Sequence, residues 1–222
     1  MKRLLTTLVI LTGLIGSAEV VWADAVTDYN KGFDAFEAGD FEDAVKWYRK
    51  AAEQGVAAAQ SNLGLMYDEG KGVTQDYSEA MKWYRKAAEQ GVADAQYNLG
   101  VLYEGGVGVP RNIASALRWY ERAATQGHPS AQLNLGVLYG NGDGVPQDDV
   151  EAARWLRLAA EQGDGDAQFY LGVSYYRGMG LREDDVFAHM WVNLSTSRLP
   201  SGERRMMAVG IRDTIESQMT RE

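Results

Sequence analysis

The stretch AQSNLGLMYDEGKGVTQDYSEAMKWYRKAAEQG, residues 59–91, decides the fold, because related stretches follow it in register along most of the chain. Its tryptophan belongs to a series in which each member stands 36 residues after the last: Trp47, Trp83, Trp119, Trp155 and Trp191. Such a period is typical of a supersecondary unit that cannot bury its own apolar face, so that stacked neighbours share one core. The sequence therefore predicts a repeat protein with the tryptophans, Trp119 among them, as buried aromatic residues of its core.

Each unit contains two predicted helices, A and B, joined by a glycine-rich loop. In helix A, Ala59, Leu63 and Tyr67 are four residues apart and form one helical stripe. A glycine follows the leucine in every unit, and a glycine inside a helix costs about 0.5–1 kcal/mol relative to alanine. We therefore expect another helix backbone to come close at this glycine. Helix B is expected to begin after a side chain that caps its free amides, at Asp76, Asn112, Asp148 and Asp184.

These patterns together resemble the Sel-one-like repeat (SLR), a longer-looped relative of the tetratricopeptide repeat (TPR). The matching elements are Ala-Gln-x-x-Leu-Gly-x-x-Tyr, the Gly-x-Gly-Val loop and Ala-x-x-Trp-Tyr-x-x-Ala-Ala-x-x-Gly. Four units fit this pattern: residues 57–92, 93–128, 129–164 and 165–200. The resemblance implies an all-α fold, a right-handed α-α superhelical solenoid of stacked, tetratricopeptide-like helix-turn-helix repeats that contacts other proteins.

The N-terminal segments depart from the repeat. Residues 1–23 begin with Lys2 and Arg3, continue through an apolar stretch and end at Ala23, which is typical of a secretory signal peptide cleaved after Ala23. An uncleaved N-terminal anchor is the alternative. Residues 24–56 predict a tetratricopeptide-like hairpin, because the loop around Gly39 is shorter than its counterparts.

The C-terminal segment, residues 201–222, predicts an amphipathic helix. Its apolar residues recur at steps of four: Met207, Ile211, Ile215 and Met219. We expect this helix to cap the last repeat, as the ends of a solenoid require. The alternative is a helix that docks a partner, which would leave an apolar stripe exposed.

Composition excludes several classes of partner. The chain has no cysteine, so disulfides cannot stabilise an exported protein of this kind. Its net charge is −9, with basic residues interspersed among acidic ones, so we expect no nucleic-acid partner and no binding to anionic lipid. No segment after the signal could span a membrane, and the expected location is periplasmic or secreted.

Residues that repeat on helix A without belonging to the apolar stripe are candidates for a peptide-binding groove: Asn62, Asn98 and Asn134. An asparagine amide can both donate to and accept from the main chain of an extended peptide. The resemblance places these residues where related TPR proteins use asparagine to hold a peptide main chain or a terminal carboxylate. The alternative is that each asparagine bonds to a neighbouring helix and holds the repeats together.

Apolar residues beside the asparagine positions could extend this groove and give it specificity. Aromatic side chains in a groove are favoured binding anchors, although at helical spacing they also belong to cores. The candidates are Tyr97, Leu133, Phe169 and Tyr170, the last standing at the asparagine position of the fourth unit.

Catalytic and metal-binding patterns are missing from the sequence. The two histidines, His128 and His189, have no nucleophile or acid at a recognisable spacing, and the loop acids lack the spacing of a calcium-binding loop. We therefore expect no catalytic residues, metal or cofactor, and a non-enzymatic periplasmic scaffold or regulator that binds a segment of an envelope protein. The alternative is a protein that binds or hydrolyses cell-wall fragments or β-lactams, an analogy with cysteine-rich members of the resembled family that the lack of cysteine weakens. The sequence leaves the partner and the oligomeric state open.

Overall fold

The computed structural model describes residues 16–220, with side chains from Ala23 onward, so that most of the proposed signal peptide lies outside the described residues. This part of the chain is built from α-helices joined by loops, and none of the described helices is long and apolar enough to cross a bilayer. The helices are α1 Gly16–Ala38, α2 Phe41–Glu53, α3 Ala57–Glu69, α4 Tyr77–Glu89, α5 Ala93–Gly105, α6 Ile113–Thr125, α7 Pro129–Asn141, α8 Asp149–Glu161, α9 Gly165–Arg177, α10 Asp185–Arg198 and α11 Glu203–Met219.

The chain divides into two compact units between Asn112 and Ile113. In the first unit α1 packs on α2, α2 on α3, α3 on α4 and α4 on α5. In the second unit the same order runs from α6 to α11, with the pairs α7 and α8, and α9 and α10, in closest contact. Within each unit, therefore, the predicted all-α architecture of consecutive helix pairs is confirmed.

Aspartate side chains cap the start of three B helices, α4, α8 and α10, as the sequence predicts. Asp76 accepts hydrogen bonds from the backbone amides of Ser78 and Glu79 at the start of α4, at 2.9 and 3.0 Å. Asp148 caps α8 in the same way, and Asp184 accepts from the amide of Phe187 in α10. These caps set where α4, α8 and α10 start after their loops, whereas Asp40 before α2 makes no such bond.

The loop glycines fit against the start of the preceding B helix. Gly180 has a φ of +66°, and a Cβ added there would lie 1.9 Å from the carbonyl oxygen of Asp149. Gly72 has a φ of +67°, and its Cβ would lie 2.3 Å from the carbonyl oxygen of Phe41. Both backbone conformation and contact therefore require glycine, and the loop joins one repeat to the one before it.

The glycine inside helix A accommodates a side chain in the first unit, where we expected a helix backbone. A Cβ on Gly64 would lie 2.7 Å from Cδ1 of Tyr84, and a Cβ on Gly32 would lie 2.7 Å from Cδ1 of Tyr48. The expectation is wrong here because a tyrosine ring of the B helix packs against the glycine of helix A.

The most deeply buried aromatic residues are tyrosines. Tyr48, Tyr84 and Tyr120 are completely buried, whereas Trp119 is partly exposed, so the expectation of a buried tryptophan is wrong at position 119. Trp155, which is only 6% exposed, does belong to the core. The guanidinium of Arg122 lies 4.8 Å from the centre of the Trp119 ring. The indole thus covers the edge of the core while cations cover its outer face.

Helix α11 packs against α10 and buries one side. Ala208 and Ile215 are completely buried in a cluster with Phe169 and Val192. Met207, by contrast, is 52% exposed. The buried face of α11 is thus shifted from the stripe that the sequence suggests, and it covers the last helix pair.

Candidate functional site

Glutamine side chains hold each A helix against the preceding B helix. The Gln60 amide donates to the Ala52 carbonyl at 3.1 Å, and the Gln96 amide donates to the Ala88 carbonyl at 3.0 Å. Gln90, at the end of α4, donates in turn to Oε1 of Gln60 at 2.7 Å. The second unit has the same bonds at the equivalent positions: Gln132 to Ala124, Gln162 to Gln132 and Gln168 to Ala160. These buried bonds fix the A helices as a rigid platform.

A second set of contacts joins the same helices nearer the surface. Arginines on B helices donate to the tyrosine hydroxyl of the next A helix: Arg49 to Tyr67 at 2.7 Å, Arg85 to Tyr103 at 2.6 Å and Arg157 to Tyr175 at 2.8 Å. Glu121 occupies the arginine position opposite Tyr139. Burial, and then the Glu121 carboxylate, raise the pKa of Tyr139.

Asn62 faces two buried tyrosines of the first unit. Its amide is close enough to the hydroxyls of Tyr29 and Tyr48 to lower the pKa of each, against a larger rise caused by burial. Its Nδ2 is buried, yet it has no hydrogen-bond partner among the described residues. This asparagine therefore contacts neighbouring helices, as the structural alternative predicts; whether it also binds a peptide stays a prediction.

Asn98 lies in a chain of polar contacts with two residues of α3 and α4. The Tyr84 hydroxyl donates to Oδ2 of Asp68 at 3.1 Å. Burial and the Asp68 carboxylate raise the pKa of Tyr84, while Asn98 lowers it in part. Burial also raises the pKa of Asp68, and the bond from Tyr84 offsets part of that rise. The three side chains thus link α3, α4 and α5.

The other candidate residues have different surroundings. Asn134 and Tyr97 are partly exposed at their positions on α7 and α5. Leu133 packs against the cluster formed by Leu156 and its neighbours. Phe169 is only 6% exposed and lies in the core under α11, which leaves little of its ring for a ligand.

Tyr170 lies on a cavity in the second unit. The cavity has a volume of about 270 Å³ and is lined by residues of α7, α8 and α9 and by Met179 in the loop after α9. Its apolar lining comes from Val137, Ala152, Leu156, Val173 and Met179 together with two glycines, Gly136 and Gly140. Its polar lining comes from Asn141, Asp149, Tyr170, Ser174 and Arg177. An apolar pocket with a few polar groups at its edge is typical of a binding site.

Of the two charged side chains that line the cavity, one accepts a hydrogen bond and the other has no partner among the described residues. The Asp149 carboxylate accepts from the Gln147 amide at 3.2 Å. Arg177 forms no ion pair or hydrogen bond with any residue that the structure describes. The guanidinium is thus available to a ligand.

One of the two histidines has a structural contact. Nδ1 of His128 accepts from the backbone amide of Ala131 at 3.3 Å and caps α7. Within residues 16–220, no group of three or more histidine, aspartate or glutamate side chains is placed to hold a metal ion.

Sequence reasoning missed Gly140 and Leu156 as site residues. The signal for them was available, since both break the pattern of the first unit, where aspartate and tyrosine stand at these positions.

Solved structures similar to this chain are themselves repeat proteins. A Sel1 repeat protein from Oxalobacter formigenes is 38% identical, with a TM-score of 0.72 over 78% of this chain and 72% of that one. A protective antigen present in uropathogenic Escherichia coli strains, which displays an SLR fold, is 31% identical with a TM-score of 0.72. That match covers 91% of this chain and 46% of the antigen. The solenoid class of the fold is confirmed by these neighbours.

A curated relative matches over a shorter stretch. An exopolysaccharide production negative regulator of Rhizobium leguminosarum bv. viciae is 49% identical over 45 residues, which make up 20% of this chain and 17% of the regulator. The chain therefore matches less than a fifth of that protein's length.

The family model of the Sel1 repeat matches the chain in five consecutive segments, residues 29–56, 57–92, 93–128, 129–164 and 165–196. The first of these covers the N-terminal hairpin and the last ends within α10. Proteins built from Sel1 repeats are scaffolds for protein interaction and are typically non-enzymatic. With its fold, its repeat pattern and its relatives in agreement, the chain belongs to the Sel1 repeat family.

Proposed function

We propose that this protein is an exported, non-enzymatic adaptor or regulator that binds a segment of an envelope protein in a groove formed by its A helices. The observation that carries the proposal is the cavity beside Tyr170, which α7, α8 and α9 line with apolar side chains. Buried glutamine bonds hold these helices in place, so the groove is formed before a partner arrives and little entropy is lost on binding.

Export and regulation are supported by separate observations. The pattern of residues 1–23 is typical of a secretory signal, and the periplasm or the cell exterior is the corresponding location. A regulatory role is supported by the 45-residue likeness to a negative regulator of exopolysaccharide production.

The test is photo-crosslinking in cells with a photoreactive amino acid at one position at a time. Val137 lines the cavity, whereas Arg118 is exposed on α6 and does not line it. We expect crosslinks to an envelope protein from position 137 and few from position 118, identified by mass spectrometry. Equal crosslinking at both positions, or none from position 137, would contradict groove binding.

Location is tested on the same cells. Fractionation should find the full chain in the periplasm or the medium, and a chain that lacks residues 2–23 in the cytoplasm. A cytoplasmic location of both forms would refute export.

Binding or turnover of a labelled β-lactam or muropeptide would favour the rival function instead.

A further inference from the structure

The cavity of the second unit arises where three positions differ from their equivalents in the first unit. In the first unit these positions hold Asp68, Tyr84 and Asn98, whose polar side chains contact one another. Counting two periods along the chain, the second unit holds Gly140, Leu156 and Tyr170 at the same positions. All three of these residues line the cavity.

Loss of side-chain volume at positions 140 and 156 explains why space opens there, although Tyr170 is larger than the asparagine at the equivalent position of the first unit. Leu156 begins in the same place as Tyr84, because its Cγ would lie 2.6 Å from a Cβ on Gly136 as the Tyr84 ring lies against Gly64. The leucine is shorter than the tyrosine and has no hydroxyl. In the second unit, therefore, no atom of Leu156 reaches the space that the outer ring and hydroxyl of Tyr84 occupy in the first unit.

Packing does not require the glycine at position 140. A Cβ added to Gly140 would meet only the Cβ of Ala152, at an ordinary 3.6 Å. Glycine in a helix costs about 0.5–1 kcal/mol relative to alanine, and here no close neighbour offsets that cost. In the next repeat Tyr176 stands at this position and packs against the core. Residue 140 thus keeps open a space that other repeats fill.

The size and lining of the cavity indicate what fits it. Its volume of about 270 Å³ is below the roughly 300–1,000 Å³ typical of small-molecule sites. Val137, Val173 and Met179 give it apolar sides suited to one large side chain. At the edge, the unpaired Arg177 attracts a carboxylate, whereas Asp149 repels a second one.

We propose that this cavity is a specificity pocket that takes one large apolar side chain of a partner polypeptide, with an acidic residue on one side of it held by Arg177. The proposal rests on the proposed function, since it names the chemistry of the segment that the groove binds. The apolar lining of the pocket excludes water from the bound side chain, and Arg177 sets the direction in which the partner segment binds.

The direct test is fluorescence anisotropy with the full chain and a labelled peptide, Gly-Ser-Phe-Glu-Ser-Gly. Replacing its phenylalanine by serine should weaken binding about tenfold or more, because the apolar burial is lost. Replacing its glutamate by lysine should weaken binding to the native protein and should matter little to an Arg177→Met variant. Absence of binding, or equal binding of the three peptides, would overturn the proposal.

A refilled variant tests the pocket without relying on a disruptive change. Gly140→Asp, Leu156→Tyr and Tyr170→Asn together restore the side chains that the first unit already accommodates. This variant should melt at or above the native temperature, and its affinity for the phenylalanine peptide should fall about tenfold or more. Val150→Thr, on an exposed part of α8, is the matched control and should bind as the native protein does.

Crosslinking from position 137 separates the two proposals. Partner crosslinks that persist in the refilled variant, together with unchanged peptide binding, would leave groove binding intact and overturn the pocket. Absence of crosslinks in the native background would instead contradict the proposed function itself. Loss of crosslinks only in the refilled variant supports both.

Discussion

Trp83 and Tyr84 are adjacent in the chain but differ in how deeply they are buried. Tyr84 is completely buried against Gly64 and donates a hydrogen bond to Asp68. Trp83 is partly exposed and carries the Lys86 ammonium 4.0 Å from its ring centre. In this repeat the tryptophan, which marks the period most clearly, therefore lies at the edge of the core, and the tyrosine beside it lies inside the core.

This division predicts unequal costs of truncation. Tyr84→Ala should lower the free energy of unfolding by about 3–5 kcal/mol, as for other large buried aromatic residues. Trp83→Ala should cost less, because its indole is already partly exposed in the folded protein and a cation-π contact contributes only about 0.5–1 kcal/mol at exposed sites. Urea denaturation of both variants measures the difference. An equal or larger loss for Trp83→Ala would contradict the assignment.

At the scale of helices, the bonds between arginine and tyrosine have one interruption. Arg85 and Arg157 each donate to a tyrosine of the next A helix, whereas Glu121 on α6 stands opposite Tyr139 on α7. The carboxylate repels the phenolate form of Tyr139, which is one reason for the raised pKa of that residue. The contact between α6 and α7 thus lacks a bond that other helix pairs have.

Glu121→Arg should supply that bond. We expect it to stabilise the protein by about 0.5–1 kcal/mol, the usual range for a charge-assisted contact near the surface. It should also lower the pKa of Tyr139, because an attractive cation replaces a repelling carboxylate. Thermal melting measures the first effect, and absorbance of the phenolate during a pH titration measures the second. Arg157→Glu is the reciprocal control and should destabilise; a rise in the Tyr139 pKa in Glu121→Arg would contradict the geometry.

Helix pairs and caps were predictable from the sequence because each depends on residues close together in the chain. The spacing of Ala59, Leu63 and Tyr67 and the cap at Asp76 are local signals, and both predict the observed elements. The choice between Trp83 and Tyr84 as core was not predictable, since two adjacent large residues recur with the same period. The cavity was also missed, because it depends on side chains of three helices, α7, α8 and α9, that come together only once those helices pack.

At the scale of the molecule, a stack of repeats gains stability from each repeat and from its nearest neighbours. Helix α11 completes the last helix pair by burying Ile215 against α9 and α10 residues such as Phe169 and Val192. Its outer residues, including Met207, remain exposed. The consequences of a change at this end should therefore weaken with distance along the stack.

Ile215→Ala tests this with amide hydrogen exchange. The substitution should cost about 2–5 kcal/mol and should speed exchange most in α10 and α11, less in α9 and least in α7. Met207→Ala, as the control, should leave exchange nearly unchanged. A uniform increase from α7 to α11 would show that the unit opens as a whole and would count against nearest-neighbour stacking.

The seating of loop glycines on the preceding helix has a consequence for how such a chain can change in length. Surface loops ordinarily tolerate insertions, but Gly180 touches the first residue of α8 and leaves no slack in its loop. Adding or deleting a few residues there would break the contact between the loop and α8. Duplication or loss of an entire unit keeps every such contact in phase, so the genetic steps open to this architecture are whole repeats, each carrying its own groove residues with it.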